Sequence, residues 1–297
     1  MAEGSGDRHD DDRHAVDRRF RFGEVCLSEA RMNEHRLINL TLRGFVVLVF
    51  VFIFTPIVGS FVFSFNIDRF PSLPLGGFSL HWYETVAADP AIWRAFGNSL
   101  LVALVVALVS TLLGFTAAYT DFRYLFFGKS VYMALALLPP TIPVVIMGLA
   151  MLSFLSRIGL SGEIYAVMIS HIVMCAPFAM AVIRMRLAQM DPNIEAAAWN
   201  LGANHWKAMR FVILPFTAPS IFAALFVTMA VSFDEFAVAW FVSGLNETVP
   251  VRILNTLQGQ VSPTINAIGT IVFITTMTLV ILAQLLLMRR QKKPANA

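Results

Sequence analysis

The chain has 297 residues, of which 57% are hydrophobic and only 14% charged, and its mean hydropathy is +0.70. So little polar side chain cannot cover a soluble globule of this length, which excludes an ordinary water-soluble domain and calls for lipid as a solvent. The formal net charge of +3 is accounted for by where the basic residues sit along the chain, so no nucleic-acid partner is expected.

Residues 1–35 carry a mixed-charge run, Asp7 to His14, without sustained apolar periodicity. They read as a disordered cytoplasmic extension whose histidines are solvated rather than a metal site. The first 40 residues are polar and show no cleavable signal peptide. Beyond them the apolar residues come in six blocks of about 20, the length a helix needs to cross a ~30 Å hydrocarbon layer. The expected spans are Gly44 to Phe65, Asn98 to Tyr119, Ser130 to Phe154, Ile164 to Ile183, Ser220 to Phe241 and Ala267 to Met288. The runs are continuous rather than alternating, which excludes a membrane barrel and predicts an all-α membrane domain over residues 36–290 with a short tail at 291–297.

Between the first two spans lies a stretch rich in Pro, Gly and aromatics, including Pro74, Gly76, Trp82, Tyr83 and Trp93. Two readings stand equal: a loop with a short helix resting at headgroup depth, or a docking surface for an external partner. In the third span Leu138-Pro139-Pro140-Thr141-Ile142-Pro143 predicts a kinked or broken helix, because each proline removes a backbone donor. Cys26 and Cys175 lack metal-ligand spacing and read as an exposed thiol and a packing residue. His171, on an apolar helix, reads as a hydrogen-bonded packing residue. Lys and Arg concentrate before the first span, after the second, after the fourth and after the sixth. By the positive-inside rule both termini and the segment from Arg184 to Arg210 face the cytoplasm.

That segment, 189–215, is the most informative. Asp191 as a cap with Pro192 at the first helical position predicts a short helix through Glu195, Ala196, Ala197 and Ala198, and Gly202 lets the chain turn out of it. A second short helix then runs from Ala203 past His205 and Trp206 toward Pro215. A helix–turn–helix on a loop is too elaborate for a linker and predicts that something docks on it.

The same residues resemble the EAA loop of ABC-importer permeases: Glu-Ala-Ala, a following Gly, and an Ile-x-Leu-Pro-like end in Val212-Ile213-Leu214-Pro215. Counting back from Gly202, the family's glutamate position falls on Ala196, and the acid stands one residue earlier as Glu195. Within the superfamily the chain resembles the permease subunits of spermidine/putrescine importers, the PotC/PotI type. The likeness extends from Arg43 to Met288 and takes in Ser170-His171-Ile172, Ser232-Phe233-Asp234-Glu235, Phe241-Val242-Ser243-Gly244 and Val261-Ser262-Pro263. It implies the MetI-like, type I ABC-importer permease fold in a bacterial inner membrane. It also implies a second similar permease, two ATPase subunits docking at Glu195 to Arg210, and a periplasmic binding protein that delivers solute.

Asp234 and Glu235 lie inside the expected fifth span, where a central carboxylate costs about 2.5–3.5 kcal/mol unless paired or hydrated. Asp234 stands ~21 Å along the helix from Ser220. Adjacent residues point ~100° apart, so one of the two acids is expected to face a path for a cationic solute. Phe233 and Trp240 add cation–π contacts or packing. The alternative for the acids is pairing with Arg or Lys of a neighbouring subunit or snorkelling outward. No phosphate-cradling G-x-x-x-x-G-K-[ST] loop, nucleophile–base pair or zinc-ligand motif occurs, so no enzyme and no bound cofactor or metal are expected. ATP and Mg belong to the partner ATPase. The remaining alternatives are an ABC importer for another solute, such as an opine-like compound or a metal ion, and a stand-alone channel or ion-coupled carrier.

Overall fold

The computed structural model describes residues 38–68, 74–259 and 263–291, with the side chains of 192, 259 and 282–291 left out. The expected extension over 1–35, Cys26, the residues Val261 and Ser262, and the tail beyond 291 lie outside the described residues. Within them the secondary structure is helical apart from one isolated bridge, Asn66 to Phe78.

The chain divides into two compact units, residues 1–59 and 60–297. The described part of the first unit is helix from residue 38 onward, the beginning of α1 (Ile38–Phe63). Its large apolar side chains are exposed, Phe52 at 78%. A helix apolar all round is suited to hydrocarbon rather than water.

The second unit holds α2 (His81–Ala88), α3 (Pro90–Arg123), α4 (Lys129–Leu137), α5 (Val144–Arg157), α6 (Ile164–Leu187), α7 (Pro192–Asn200), α8 (His205–Ala208), α9 (Leu214–Asp234), α10 (Ala237–Val242), α11 (Val249–Gly259) and α12 (Thr264–Gln291). Its centre is the mutual packing of α3, α6 and α9. The 34 residues of α3 give it a length of about 51 Å, ample for a bilayer. Ala103, Ala107, Ser110, Gly114 and Ala118 recur at helical spacing on its buried face. Small residues there let backbones approach where no hydrophobic effect draws helices together.

Among the described residues five helices are long and apolar enough to span a membrane, and α5 is a shorter apolar one. The third span is broken, as the prolines predict: α4 ends at Leu137, Pro139–Thr141 forms a 3₁₀ turn, and α5 starts at Val144. The carbonyls freed by the break find local donors. Leu138 O accepts from both Thr141 N (2.9 Å) and Thr141 Oγ1 (2.7 Å).

The fifth span departs from its expected limits of Ser220 and Phe241. A continuous helix runs from His205 to Asp234, so the second arm of the helix–turn–helix passes Pro215 without interruption. A π-helical turn at Met209–Ile213 joins α8 to α9 and places Pro215 in the first turn of α9, where the missing N–H costs little. Thr217 Oγ1 donates to Ile213 O at 2.7 Å. At the other end Glu235 adopts an extended backbone (ψ 115°) and the chain restarts as α10. Apolar residues resume directly after this break, from Phe236 to Val242, which is why the expected span runs too far.

Candidate functional site

The two places where the sequence concentrates chemistry lie at opposite ends of α9. At one end, the Asp191 side chain accepts from Asn193 N at 2.9 Å and starts α7. Gly202 closes the helix at φ +84°, a conformation that favours glycine. Asn204 then caps α8, its Oδ1 accepting from Lys207 N at 2.8 Å.

The outer face of this helix–turn–helix is solvent-exposed and partly apolar. Leu201 is 89% exposed and Trp206 79%; Ala196, Ala197, Gly202 and His205 are open, and Ala198 and Ala203 half-buried. Large exposed apolar side chains of this kind are characteristic of protein or membrane contact surfaces.

Glu195 is different. It is buried beneath α7, and its Oε2 lies 3.3 Å from Nε of Arg123, on the last turn of α3. The Arg123 guanidinium also covers the ring of Trp199, 4.7 Å from its centroid, one turn along α7. Tyr119, one turn earlier on α3, brings its ring to 6.4 Å from that of His205. Two residues before Arg123, buried Asp121 meets Arg184 Nε of α6 at 2.6 Å and Lys129 Nζ of α4 at 3.3 Å. Arg186 of α6 donates to Phe216 O at 3.2 Å and stacks on the Phe216 ring at 4.2 Å.

At the opposite end, Asp234 is the last residue of α9 and borders a cavity of about 290 Å³ lined by Phe236, Pro250, Ile253, Leu254, Leu257 and Val272. Glu235 is turned elsewhere: its Oε1 accepts from Val238 N at 3.0 Å and caps α10. Phe233 is buried in the bundle and meets Phe96 edge to face, centroids 5.9 Å apart. Trp240 is exposed on α10 beside Phe241. Of the four residues singled out there, only Asp234 lines the cavity; Trp240 is open on α10, Glu235 serves the backbone and Phe233 the core.

His171 Nδ1 and Ser232 Oγ are 3.0 Å apart and buried. Among the described residues no three of His, Cys, Asp and Glu gather as a metal site. Also at this end, Arg252 of α11 pairs with Glu247 (3.4 Å) and Asp89 (3.8 Å), and Asn255 Nδ2 donates to Glu247 Oε1 at 2.7 Å.

Sequence reasoning singled out Glu195 but not its seat. Arg184 enters the sequence reading only as a topology signal, Arg123 only among the basic residues that follow the second span, and Asp121 not at all. The available signal was an acid and a base two residues apart at the end of a span.

Residues 110–293 match the family described as binding-protein-dependent transport system inner membrane component. The chain is 30% identical over 245 residues to the spermidine/putrescine transport system permease protein PotC of Haemophilus influenzae, covering 82% of this chain and 95% of the relative. It is 29% identical over 235 residues to the putrescine transport system permease protein PotI of Escherichia coli K12, covering 76% and 83%. A chain of a bacterial ABC transporter involved in the import of the acidic polysaccharide alginate superposes with a TM-score of 0.68 at 17% identity, over 86% of this chain and 96% of that one. At that identity the likeness speaks for the fold, which is that of type I ABC-importer permeases.

Proposed function

Since this chain belongs to the family of binding-protein-dependent transport system inner membrane components, a multi-pass, non-catalytic permease subunit of an ABC importer, we propose that the solute it passes is a small linear polycation of the putrescine or spermidine kind. The observation that carries this reading is Asp234. Its carboxylate borders a cavity whose other walls are aliphatic or aromatic. An alkyl diamine offers an ammonium to the acid and methylenes to Ile253, Leu254 and Leu257. Asp234 is exposed at the end of α9, so its carboxylate is accessible to an incoming ammonium. The names of the PotC and PotI relatives, spermidine/putrescine and putrescine transport permeases, agree with a polyamine.

The remaining parts follow the same logic. Two ATP-binding subunits dock on the exposed face of Ala196, Ala197, Ala198, Gly202, Ala203, His205 and Trp206, with one pair of motors serving this chain and a second, similar permease. Glu195 anchors that face from beneath. Lys and Arg clustering puts the helix–turn–helix and both termini in the cytoplasm. A binding protein delivers solute at the Asp234 end, where Trp240 offers an aromatic face to an ammonium. ATP-driven closure of the motors shifts the helix–turn–helix and exchanges outward for inward access.

The test is reconstitution of the four-component complex in proteoliposomes. ATP-dependent uptake of radiolabelled putrescine or spermidine is expected, with each competing against the other. Uptake of a neutral or anionic solute that neither polyamine inhibits would remove the substrate assignment.

A further inference from the structure

Glu195 is the single charged side chain of 189–215 that is buried among the described residues; Asp191, Lys207 and Arg210 are exposed. Burying a carboxylate is unfavourable unless it is compensated. Its compensation comes from outside the helix–turn–helix, from Arg123 at the end of α3. The Arg123 side chain touches α7 at two points one turn apart, the Glu195 carboxylate and the Trp199 ring. Planar guanidinium geometry suits such a double contact and an ammonium does not.

The other arm of the helix–turn–helix reaches the bundle by a different route, because α8 continues through the π-turn into α9. Gly202 separates the two arms with a turn, so α7 has no helical continuity with any span on that side. The opposite face of the α3 end is fixed to α6 and α4 through Asp121. Further along, α3 crosses α6 so closely that a Cβ on Gly114 would lie 2.6 Å from Ala179 Cβ and from Met180 N. Packed contacts of this kind transmit displacement rather than absorb it. Neither Glu195 Oε1 nor Arg123 Nε has a hydrogen-bond partner among the described residues, so the two groups meet as an ion pair without a hydrogen bond and both remain available for a different pairing as α7 shifts.

We infer that Arg123 is the positioning residue through which displacement of α7 is passed to α3, and through Asp121 to α6 and α4. α3 is thus driven separately from α9. This rests on the importer reading above, and the experiment separates the two.

Complete complexes are reconstituted in proteoliposomes, and ATP hydrolysis is measured alongside uptake of radiolabelled putrescine and spermidine. Arg123→Ala is expected to lower polyamine imported per ATP hydrolysed about ten-fold or more while hydrolysis stays within about two-fold. Arg123→Glu behaves alike, and combining it with Glu195→Arg restores most of the ratio. Arg123→Lys keeps the charge but loses the Trp199 stack and falls between. An unchanged ratio in Arg123→Ala, a proportional loss of hydrolysis and uptake, or failure of the exchanged pair to rescue overturns the inference.

If the unsubstituted complex hydrolyses ATP but imports neither polyamine, the substrate reading fails alone. The same variants are then scored by the ATP-induced change in distance between spin labels at Asn200 on α7 and Trp93 at the far end of α3. Coupled elements move together, so that distance is expected to stay nearly constant in the unsubstituted complex, to change in Arg123→Ala as α7 moves without α3, and to become constant again in the exchanged pair. A distance as constant in Arg123→Ala as in the unsubstituted complex overturns the inference.

Discussion

Gly114 of α3 faces Ala179 of α6 with no space for a side chain between them, since a Cβ on the glycine would meet the alanine Cβ at 2.6 Å and the Met180 backbone nitrogen at the same distance. The main-chain atom cannot swing aside as a side chain would. Gly114→Ala should therefore force the helices apart and cost about 1–3 kcal/mol, the usual range for overpacking, despite the helix propensity gained. Gly114→Leu should prevent recovery of folded protein. Thermal unfolding in detergent measures the first, and monodisperse yield the second. An alanine variant as stable as the parent would show that the crossing is looser than described.

Asp121 serves two cations on two helices. Arg184 is half exposed, so solvent screens its share, and Arg184→Gln should cost no more than about 1 kcal/mol. Asp121→Asn leaves both cations without their counter-charge at a buried acceptor and should cost more, about 1–3 kcal/mol. Comparing melting temperatures at low and high salt checks the order. Equal losses would mean that the carboxylate acts through one partner only.

Asp234 and Glu235 are neighbours in different settings, one bordering a cavity and the other accepting from Val238 N. Asp234→Asn should reduce polyamine uptake about ten-fold while ATP hydrolysis and assembly persist, because only the charge at the cavity is removed. Glu235→Gln keeps an oxygen that accepts from Val238 N and should leave uptake near the parent value. Glu235→Ala removes the cap and should lower stability by about 1 kcal/mol. Initial uptake rates and melting curves of the three variants separate the roles. A Glu235→Gln protein as impaired as Asp234→Asn would assign both acids to the path.

Leu201 and Trp206 are almost fully exposed, so charge placed there should leave the fold unharmed. Leu201→Asp combined with Trp206→Asp should keep the melting temperature within about a degree or two, since surface substitutions cost little. The same protein should lose co-purification of the ATPase subunits in mild detergent. Retention of the ATPase would move the docking surface elsewhere.

What the sequence makes legible is largely what acts through its own backbone. Asp191, Pro192 and Gly202 start and stop α7 by local rules, and the prolines at 139, 140 and 143 break the third span for the same reason. Pairing over long separations is hidden, which is why Arg123 reads as a topology signal until Glu195 is found beneath it. Helix ends inside apolar runs are hidden too. Phe236 to Val242 is as apolar as a span interior, so the acids at 234 and 235 read as charges within one span rather than as its end, and the assignment of one acid to a cap and the other to a cavity appears only in three dimensions. The passage of α9 through Pro215 was equally concealed, because it depends on the π-turn that precedes it.

The uninterrupted helix from His205 to Asp234 has a mechanical corollary. Thirty residues make a rod of about 45 Å, so a tilt of about 10° at the His205 tip sweeps the far tip through roughly 8 Å. That stroke exceeds the width of an alkyl diamine, and it would carry the Asp234 carboxylate with it. Under the polyamine-importer reading proposed above, a small rocking of the motors would be geared up into the withdrawal of that carboxylate, and cargo would be let go by moving its counter-ion rather than by weakening it.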